Sequence, residues 1–273
     1  MQKIIQGYFE EIVATTSFNT LLLEKDYFVT AVLFLLKDVP HIYFKGGTAL
    51  NKIFLNYARL SEDIDLTVTD DLNFVKEKIE KALSESLLFT SITFDHRVNR
   101  FTRIIANYNS FYGNPGSVFI DLSRKSALFL NPEKHSIPHY YEPHIPAFNF
   151  TTLAQPEMFA EKMRATIERN KPRDHFDLYQ IITHQLPLDL QLVQRKCAES
   201  GSEFDITKMF NRANRLKHRW DEDMGPLLSK KITFGEVMST LAKHFNLKEE
   251  KEKKKRINLD LVDADKGVVR KIT

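Results

Sequence analysis

The stretch "FKGGTALNKIFLNYARLSEDIDL", residues 44–66, sets a glycine turn one helix length ahead of two aspartates separated by a single isoleucine. "HIYFKGG" is a short apolar run stopped by glycines and reads as a strand, and "TALNKIFLNY" carries the period of a helix. "DIDLTV" (63–68) reads as the next strand, so the local order is strand, glycine turn, helix, strand. On that second strand Asp63 and Asp65 leave the same face, while Ile64 points into the other layer.

Two carboxylates that close raise each other's pKa unless a cation sits between them, and a divalent metal solves this. Magnesium prefers a few carboxylates plus substrate phosphates to a closed protein cage, the arrangement of polymerase-type sites; a second metal there activates the attacking hydroxyl. A third carboxylate is offered by Asp121, which interrupts the apolar run "VFIDLS". An ionised aspartate there is costly to bury unless paired or metal-bound, although a strand-end aspartate facing solvent reads equally well. Gly46 and Gly47 let the backbone come close to a ligand and leave the first helical N–H groups free for phosphate, and Thr48 adds a hydroxyl. Neither GxxxxGK[ST] nor GxGxxG is present, so this is not a Walker loop or a dinucleotide fingerprint.

Outward from this stretch, residues 2–13 and 20–37 have apolar positions at helical spacing, with Asn19 or Thr20 able to cap the second segment. After the aspartates come a helix over 71–87 and three β-rich runs, "SITFDHRV", "RFTRIIANYN" and "SVFIDLS". The first two form a hairpin across Asn99, and "YGNPG" (112–116) marks the next turn. The mixed or antiparallel sheet is expected to end near residue 130, and Leu130 to Pro146 reads as a loop or linker. Helical patterns follow at 155–170, from Pro172, and around 188–199, 203–218 and 233–245; the charged segment 248–273 is expected to be only partly ordered. The expected fold class is α+β: a core over 1–146 with N-terminal helices, a helical domain over 147–247 and a charged C-terminal tail over 248–273.

With 273 residues, 42% of them hydrophobic, the chain is long enough for a sizeable core. Its one cysteine, Cys197, excludes an intramolecular disulfide and a cysteine-built zinc site, and suits a reducing cytosol. "MQKIIQGYFEEIV" does not read as a signal peptide, and "YFVTAVLFLL" (27–36) falls short of the ~20 residues of a membrane span. A cytoplasmic protein without a membrane partner is expected. The net charge of +3 says little, but basic residues gather at 161–173, 211–219 and 248–256, which permits a polyanionic partner; a solvated helix face is the better account of any one run taken alone. The aromatic segment "PHYYEPHIPAFNF" (138–150) offers rings for base stacking, but core or loop packing is its first reading.

The glycine turn, the later arginine and the Ser-Glu-Asp-Ile-Asp core together resemble the signature of the AbiEii/AbiGii-type nucleotidyltransferase toxins, which include the MenT toxins and belong to the DNA polymerase β-like superfamily. "LEKDYFVTAVL" (23–33) resembles an upstream family segment, and "EKMRATIERNKPRDHFDLYQI" resembles the family's second block. The resemblance covers about residues 20 to 185. It implies a polymerase β-like core, with Gly46, Gly47 and Thr48 on nucleotide phosphates, Arg59 on phosphate, and Asp63 and Asp65 on the catalytic metal. It also implies that Lys162 neutralises triphosphate charge and that Asp174 completes the catalytic set. Read without the family, Lys162 is a surface lysine. Asp174, just after Pro172, meets a helix dipole for ~0.3–1 kcal/mol, and with Asp177 and Arg173 it also reads as a salt-bridged helix start.

The activity implied is Mg²⁺-dependent transfer (Mn²⁺ being the alternative metal) of a nucleotide from an NTP to an RNA acceptor, foremost the 3′ end of tRNA, with release of pyrophosphate. A type IV toxin–antitoxin system follows from the resemblance, with an AbiEi-type antitoxin that forms no stable complex and with phage defence by growth arrest. Two other readings keep parts of this. Either the acceptor is a protein or small-molecule hydroxyl, or the chain binds GTP or ATP as a regulator without transfer.

Overall fold

A computed structural model describes residues 4–98 and 100–265 of the chain, with the side chains of 96–98 and 257–265 left aside. Two helices open it, α1 (Gln6–Thr15) and α2 (Thr20–Leu36). Asn19 caps α2, its Oδ1 accepting from the N–H groups of Leu21 and Leu22, a contact whose loss to alanine costs about 1 kcal/mol. Strand β1 (Ile42–Lys45) leads into α3, which starts as one α-helical turn (Gly46–Ala49) and continues as a π-helical turn (Leu50–Phe54). Asn56 and Tyr57 then adopt left-handed backbone angles and reverse the chain toward β2 (Asp63–Val68).

Helix α4 (Leu72–Ser84) and strands β3 (Ser91–Val98), β4 (Phe101–Asn109) and β5 (Pro115–Arg124) follow the expected order. Asn99, expected to turn the β3–β4 hairpin, lies outside the described residues, as do 266–273 of the charged tail. Two short strands then appear where the sequence suggested a linker. β6 (Glu133–Ser136) and β7 (Asn149–Thr152) pair antiparallel, and β7 lies parallel to β1. The sheet therefore ends at Thr152 and not near residue 130, in the strand order β3-β4-β5-β2-β1-β7-β6. The β1–β2 and β4–β5 pairs are antiparallel and the β2–β5 pair is parallel, which makes the sheet mixed.

One face of the sheet is apolar and covered. Ile64, Leu66, Ile104, Ile120 and Leu122 are fully buried, and α2 and α4 pack over this side. Most of the aromatic segment joins the same core: Tyr141, Phe148 and Phe150 are buried, and the Tyr141 hydroxyl donates to Asp26 Oδ2 at 2.9 Å. Beyond the sheet come α5 (Gln155–Arg169), α6 (Pro172–Thr183), α7 (Leu190–Glu199), α8 (Ala213–Met224), α9 (Phe234–His244) and α10 (Leu247–Asp265). They surround a second apolar cluster that includes Met163, Phe176, Val193, Trp220 and Leu241. The helical pattern at 203–218 divides into a 3₁₀ turn (Ile206–Phe210) and α8, and most of the tail is the helix α10. Among the described residues no helix is long and apolar enough to cross a membrane.

Candidate active site

Strand register builds the site. Asp65 on β2 lies opposite Lys45 on β1 and Asp121 on β5, and Asp121 lies opposite Arg103 on β4. Cross-strand partners share a face, so Lys45, Asp65, Asp121 and Arg103 form one polar row across four strands. Asp63 is two residues along β2 on the same side, away from the covered apolar face.

The glycines serve this row by their missing side chains. Gly46 has φ +80°, and a Cβ there would stand 2.1 Å from Asp65 Oδ2. A Cβ on Gly47 would stand 2.6 Å from Nη2 of Arg59 and 3.6 Å from Oδ2 of Asp177. The close approach read from the sequence is thus used by the protein's own charged groups. Thr48 is buried with its hydroxyl directed inward, bonded to the Asp63 carbonyl oxygen and 2.8 Å from Ser61 Oγ, which ties the turn to the start of β2.

Asp63 and Asp65 have neither a hydrogen bond nor an ion pair among the described residues, in contrast to the acids around them. Burial raises the pKa of both. Lys25 works against the rise at Asp63 and Lys45 at Asp65, while the neighbouring carboxylates add to it; Asp121 repels both. Asp121 itself is engaged: Arg103 grips it with two hydrogen bonds, Nε to Oδ1 and Nη2 to Oδ2, each 2.7 Å.

A buried ionic network lies beneath the glycines. Arg59, 2% exposed, donates to Asp177 from Nε at 2.8 Å and from Nη2 at 2.7 Å. Lys162 reaches Asp177 Oδ2 and Asp174 Oδ1, both at 2.9 Å, and Arg169 reaches Asp174 Oδ1 at 3.1 Å. Asn51, in the π-helical turn, donates to Asp177 Oδ1 and to the Gly47 carbonyl and accepts from the Arg59 N–H. Burial alone would push Asp177 up, but Arg59 and Lys162 outweigh it and hold the carboxyl at about 2. Asp174 is lowered likewise, with Lys162 and Arg169 prevailing over burial. Its Oδ2 is buried and lacks a hydrogen-bond partner among the described residues.

A cleft of about 150 Å³ opens between the turn and α5, lined by Lys45, Gly46, Gly47, Asp65, Lys162, Arg164 and Arg169 among others. Lys45 sits 3.5 Å from Glu161 Oε2, and Glu161 also meets Lys196 at 3.1 Å and Lys125 at 3.3 Å. Burial opposes its ionisation, yet the three lysines hold Glu161 well below the usual carboxylate range. Sequence reading assigned no site role to Lys45, Arg103, Glu161, Arg164 or Arg169. Lys45, directly before the glycines, was within reach of it; the Arg103–Asp121 pairing depended on a strand register that no local pattern states.

Of the residues expected at the site, Gly46, Gly47, Asp65 and Lys162 meet at the cleft, and Asp63 and Asp121 share the polar face beside it. Arg59 is turned inward onto Asp177, and Asp174 onto Lys162. Among the described residues no three acidic, histidine or cysteine side chains converge to hold a metal ion. The unpaired Asp63–Asp65 couple nevertheless fits a hard divalent cation. Both carboxylates supply oxygen donors, both are destabilised by burial and mutual repulsion, and Asp65 lies in a cradle that any Cβ on Gly46 would fill.

The sequence matches the family described as nucleotidyl transferase AbiEii toxin, type IV toxin–antitoxin system, over residues 28–245. No curated protein matches it significantly. Among solved structures it is similar to JHP933 from Helicobacter pylori, at 19% identity and a TM-score of 0.58, covering 90% of this chain and 99% of that one. It is also similar to MenT4, a nucleotidyltransferase toxin from Mycobacterium tuberculosis, at 19% identity and a TM-score of 0.59, covering 83% of this chain and 82% of that one. At such identities the likeness is one of fold.

Proposed function

The chain belongs to the AbiEii family of nucleotidyl transferase toxins from type IV toxin–antitoxin systems, and from that premise we propose that it transfers a nucleotide from an NTP to the 3′ end of tRNA at the Asp63–Asp65 site. The observation that carries this reading is the pair of half-buried, unpartnered aspartates held against a glycine turn beside a lysine- and arginine-lined cleft. Asp63 and Asp65 would hold Mg²⁺, with Asp121 as a third donor. When bound, the cation neutralises charge at the α-phosphate and lowers the pKa of the acceptor hydroxyl.

The rest is positioning and charge. Lys45, Arg164 and Arg169 line the cleft on the triphosphate side, and Lys162 stands behind them with its charge matched by Asp174 and Asp177. The Gly46–Gly47 backbone sets the approach of the phosphates, with Thr48 holding the turn to β2. Arg59 and Asp177 act from below by fixing the turn. The acceptor hydroxyl oxygen bonds to the α-phosphorus, the α–β anhydride bond breaks, pyrophosphate leaves and the hydroxyl proton is lost. The division of labour follows the two apolar clusters: the sheet-bearing half carries the aspartates, and the helical half carries Lys162 at the cleft and, on α8, exposed basic residues such as Arg215 and Lys217 that suit an RNA backbone. Work on tRNA and NTP places the protein in the cytoplasm. Its antitoxin would act without a stable complex, and growth arrest would limit phage spread.

The test is label transfer. Purified protein, Mg²⁺ and total tRNA are incubated with each α-labelled NTP in turn, and labelled RNA is mapped to its terminus. Label at the tRNA 3′ end supports the proposal; unlabelled tRNA, with label on protein or metabolite once cell extract is supplied in its place, overturns the tRNA acceptor and keeps the transfer chemistry.

A further inference from the structure

Arg103 stands in the polar row where a second cation would be expected. It lies on β4 directly across from Asp121, which lies directly across from Asp65. Its guanidinium takes both oxygens of Asp121 in the fork geometry that suits a carboxylate best, and its plane rests 4.9 Å from the centre of the Phe119 ring. The Arg103 side chain is 23% exposed and that of Asp121 14%, so the pair is sheltered but within reach of solvent. No other carboxylate in the row has such a partner: Asp63 and Asp65 are unpaired among the described residues. The strand register thus puts three carboxylates side by side, while Arg103 removes one of them from the set. This agrees with the lack of any three-donor metal group among the described residues.

We propose that Arg103 is a positioning residue that acts as a built-in counter-ion for Asp121, holding it out of the metal set and thereby setting the affinity of the aspartate site for divalent cations. The inference rests on the reading of Asp63 and Asp65 as the metal pair. An arginine on Asp121 does two things to an incoming cation. It occupies the donor oxygens, and its own charge repels the ion. A two-aspartate site then binds cation weakly in the free protein. Full three-carboxylate binding needs Arg103 to let go, and an incoming triphosphate offers the guanidinium alternative oxygen acceptors of the same geometry. The device keeps a toxin's metal site weak until nucleotide arrives.

The experiment measures Mn²⁺ binding directly, by the loss of the free-ion electron paramagnetic resonance signal, on the full chain without nucleotide. Arg103→Gln is expected to bind Mn²⁺ about tenfold more tightly or better, the effect of removing one unit charge near a divalent ion. Arg103→Lys, which keeps the charge, is expected to stay nearer wild type. Asp121→Asn is expected to cancel the gain in the Arg103→Gln background and, on its own, to weaken binding, because it leaves the Arg103 charge uncompensated beside the site. Thermal melts of each variant report that the fold is intact. Unchanged or weaker binding in Arg103→Gln, with Asp65→Asn still abolishing it, overturns the counter-ion role and leaves the metal pair standing. Binding that Asp63→Asn and Asp65→Asn do not affect overturns the metal pair and the counter-ion role together.

Discussion

Replacing Asp177 by asparagine tests whether the ionic network beneath the glycine turn holds the site together. Asp177 is fully buried and neutralises Arg59, bonded twice, and Lys162, bonded once. Asparagine keeps the volume but removes the charge, leaving the Arg59 guanidinium without its carboxylate and Lys162 with Asp174 alone. Breaking a buried pair from one side costs about 3–5 kcal/mol, and the remaining amide hydrogen bonds put this case near the lower end. At roughly 2–4 °C per kcal/mol for a chain of this size, the melting temperature should fall by about 6–12 °C.

The pH dependence gives an independent magnitude. The folded pKa of Asp177 is about 2, below the ~3.9 of an unfolded aspartate. A depressed carboxyl contributes stability that is complete above the unfolded value and is lost as pH falls through the folded one. The contribution is about 2–3 kcal/mol at neutral pH, and roughly half of it disappears between pH 5 and pH 3. Urea unfolding followed by fluorescence of Trp220, the chain's one tryptophan and buried in the helical cluster, reads both effects. The gap between wild type and Asp177→Asn should narrow by about 1 kcal/mol from pH 5 to pH 3. A deficit under about 1 kcal/mol at pH 7, or a gap that stays constant with pH, refutes the network as the support of the turn.

Three further outcomes follow from other parts of the molecule. Gly46→Ala forces a Cβ into the Asp65 carboxylate at a left-handed φ, so transfer activity should fall on the order of a hundredfold while stability drops by about 1–2 kcal/mol, measured by label transfer and urea melts. Asp65→Asn should abolish transfer yet raise the melting temperature in metal-free buffer, because burial already raises the pKa of that carboxyl and its charged form weakens the fold at neutral pH; added Mg²⁺ should narrow the difference by stabilising only the wild type. Lys52, 2% exposed, pairs with Asp26 at 2.7 Å and donates to Tyr57 and Thr30, joining α3 to α2. Lys52→Met should cost about 3 kcal/mol, and Lys52→Met with Asp26→Leu should recover much of it in thermal melts.

The centre of the fold was legible because its signals are local. The glycines stop β1 and open α3, and the spacing of Asp63 and Asp65 puts both on one face of β2. The strands at 130–152 escaped because they are four residues each, set among prolines, and are held by pairing of β7 with β1 and of β6 with β7, not by an alternating pattern of their own. The π-helical turn was hidden in an ordinary helical period; its geometry lets Asn51 serve Gly47, Arg59 and Asp177 together. Arg59, Lys162 and Asp174 stood out in sequence, but that Arg59 spends its charge on Asp177, and Lys162 on Asp174 and Asp177, depends on α5 and α6 packing against the turn. Contacts of Arg59 with Asp177, 118 positions apart, have no signature in either neighbourhood.

The central claim is that Asp63 and Asp65 form the nucleotidyl transfer centre, and pyrophosphate release measures it most directly. Wild type, Asp63→Asn and Asp65→Asn are compared with all four NTPs, Mg²⁺ and total cellular RNA, each variant having first been seen to melt cooperatively. The account predicts steady pyrophosphate release by the wild type with at least one nucleotide and loss of that release in both variants. Release by either variant at the wild-type rate would contradict it and move the chemistry away from the aspartate pair.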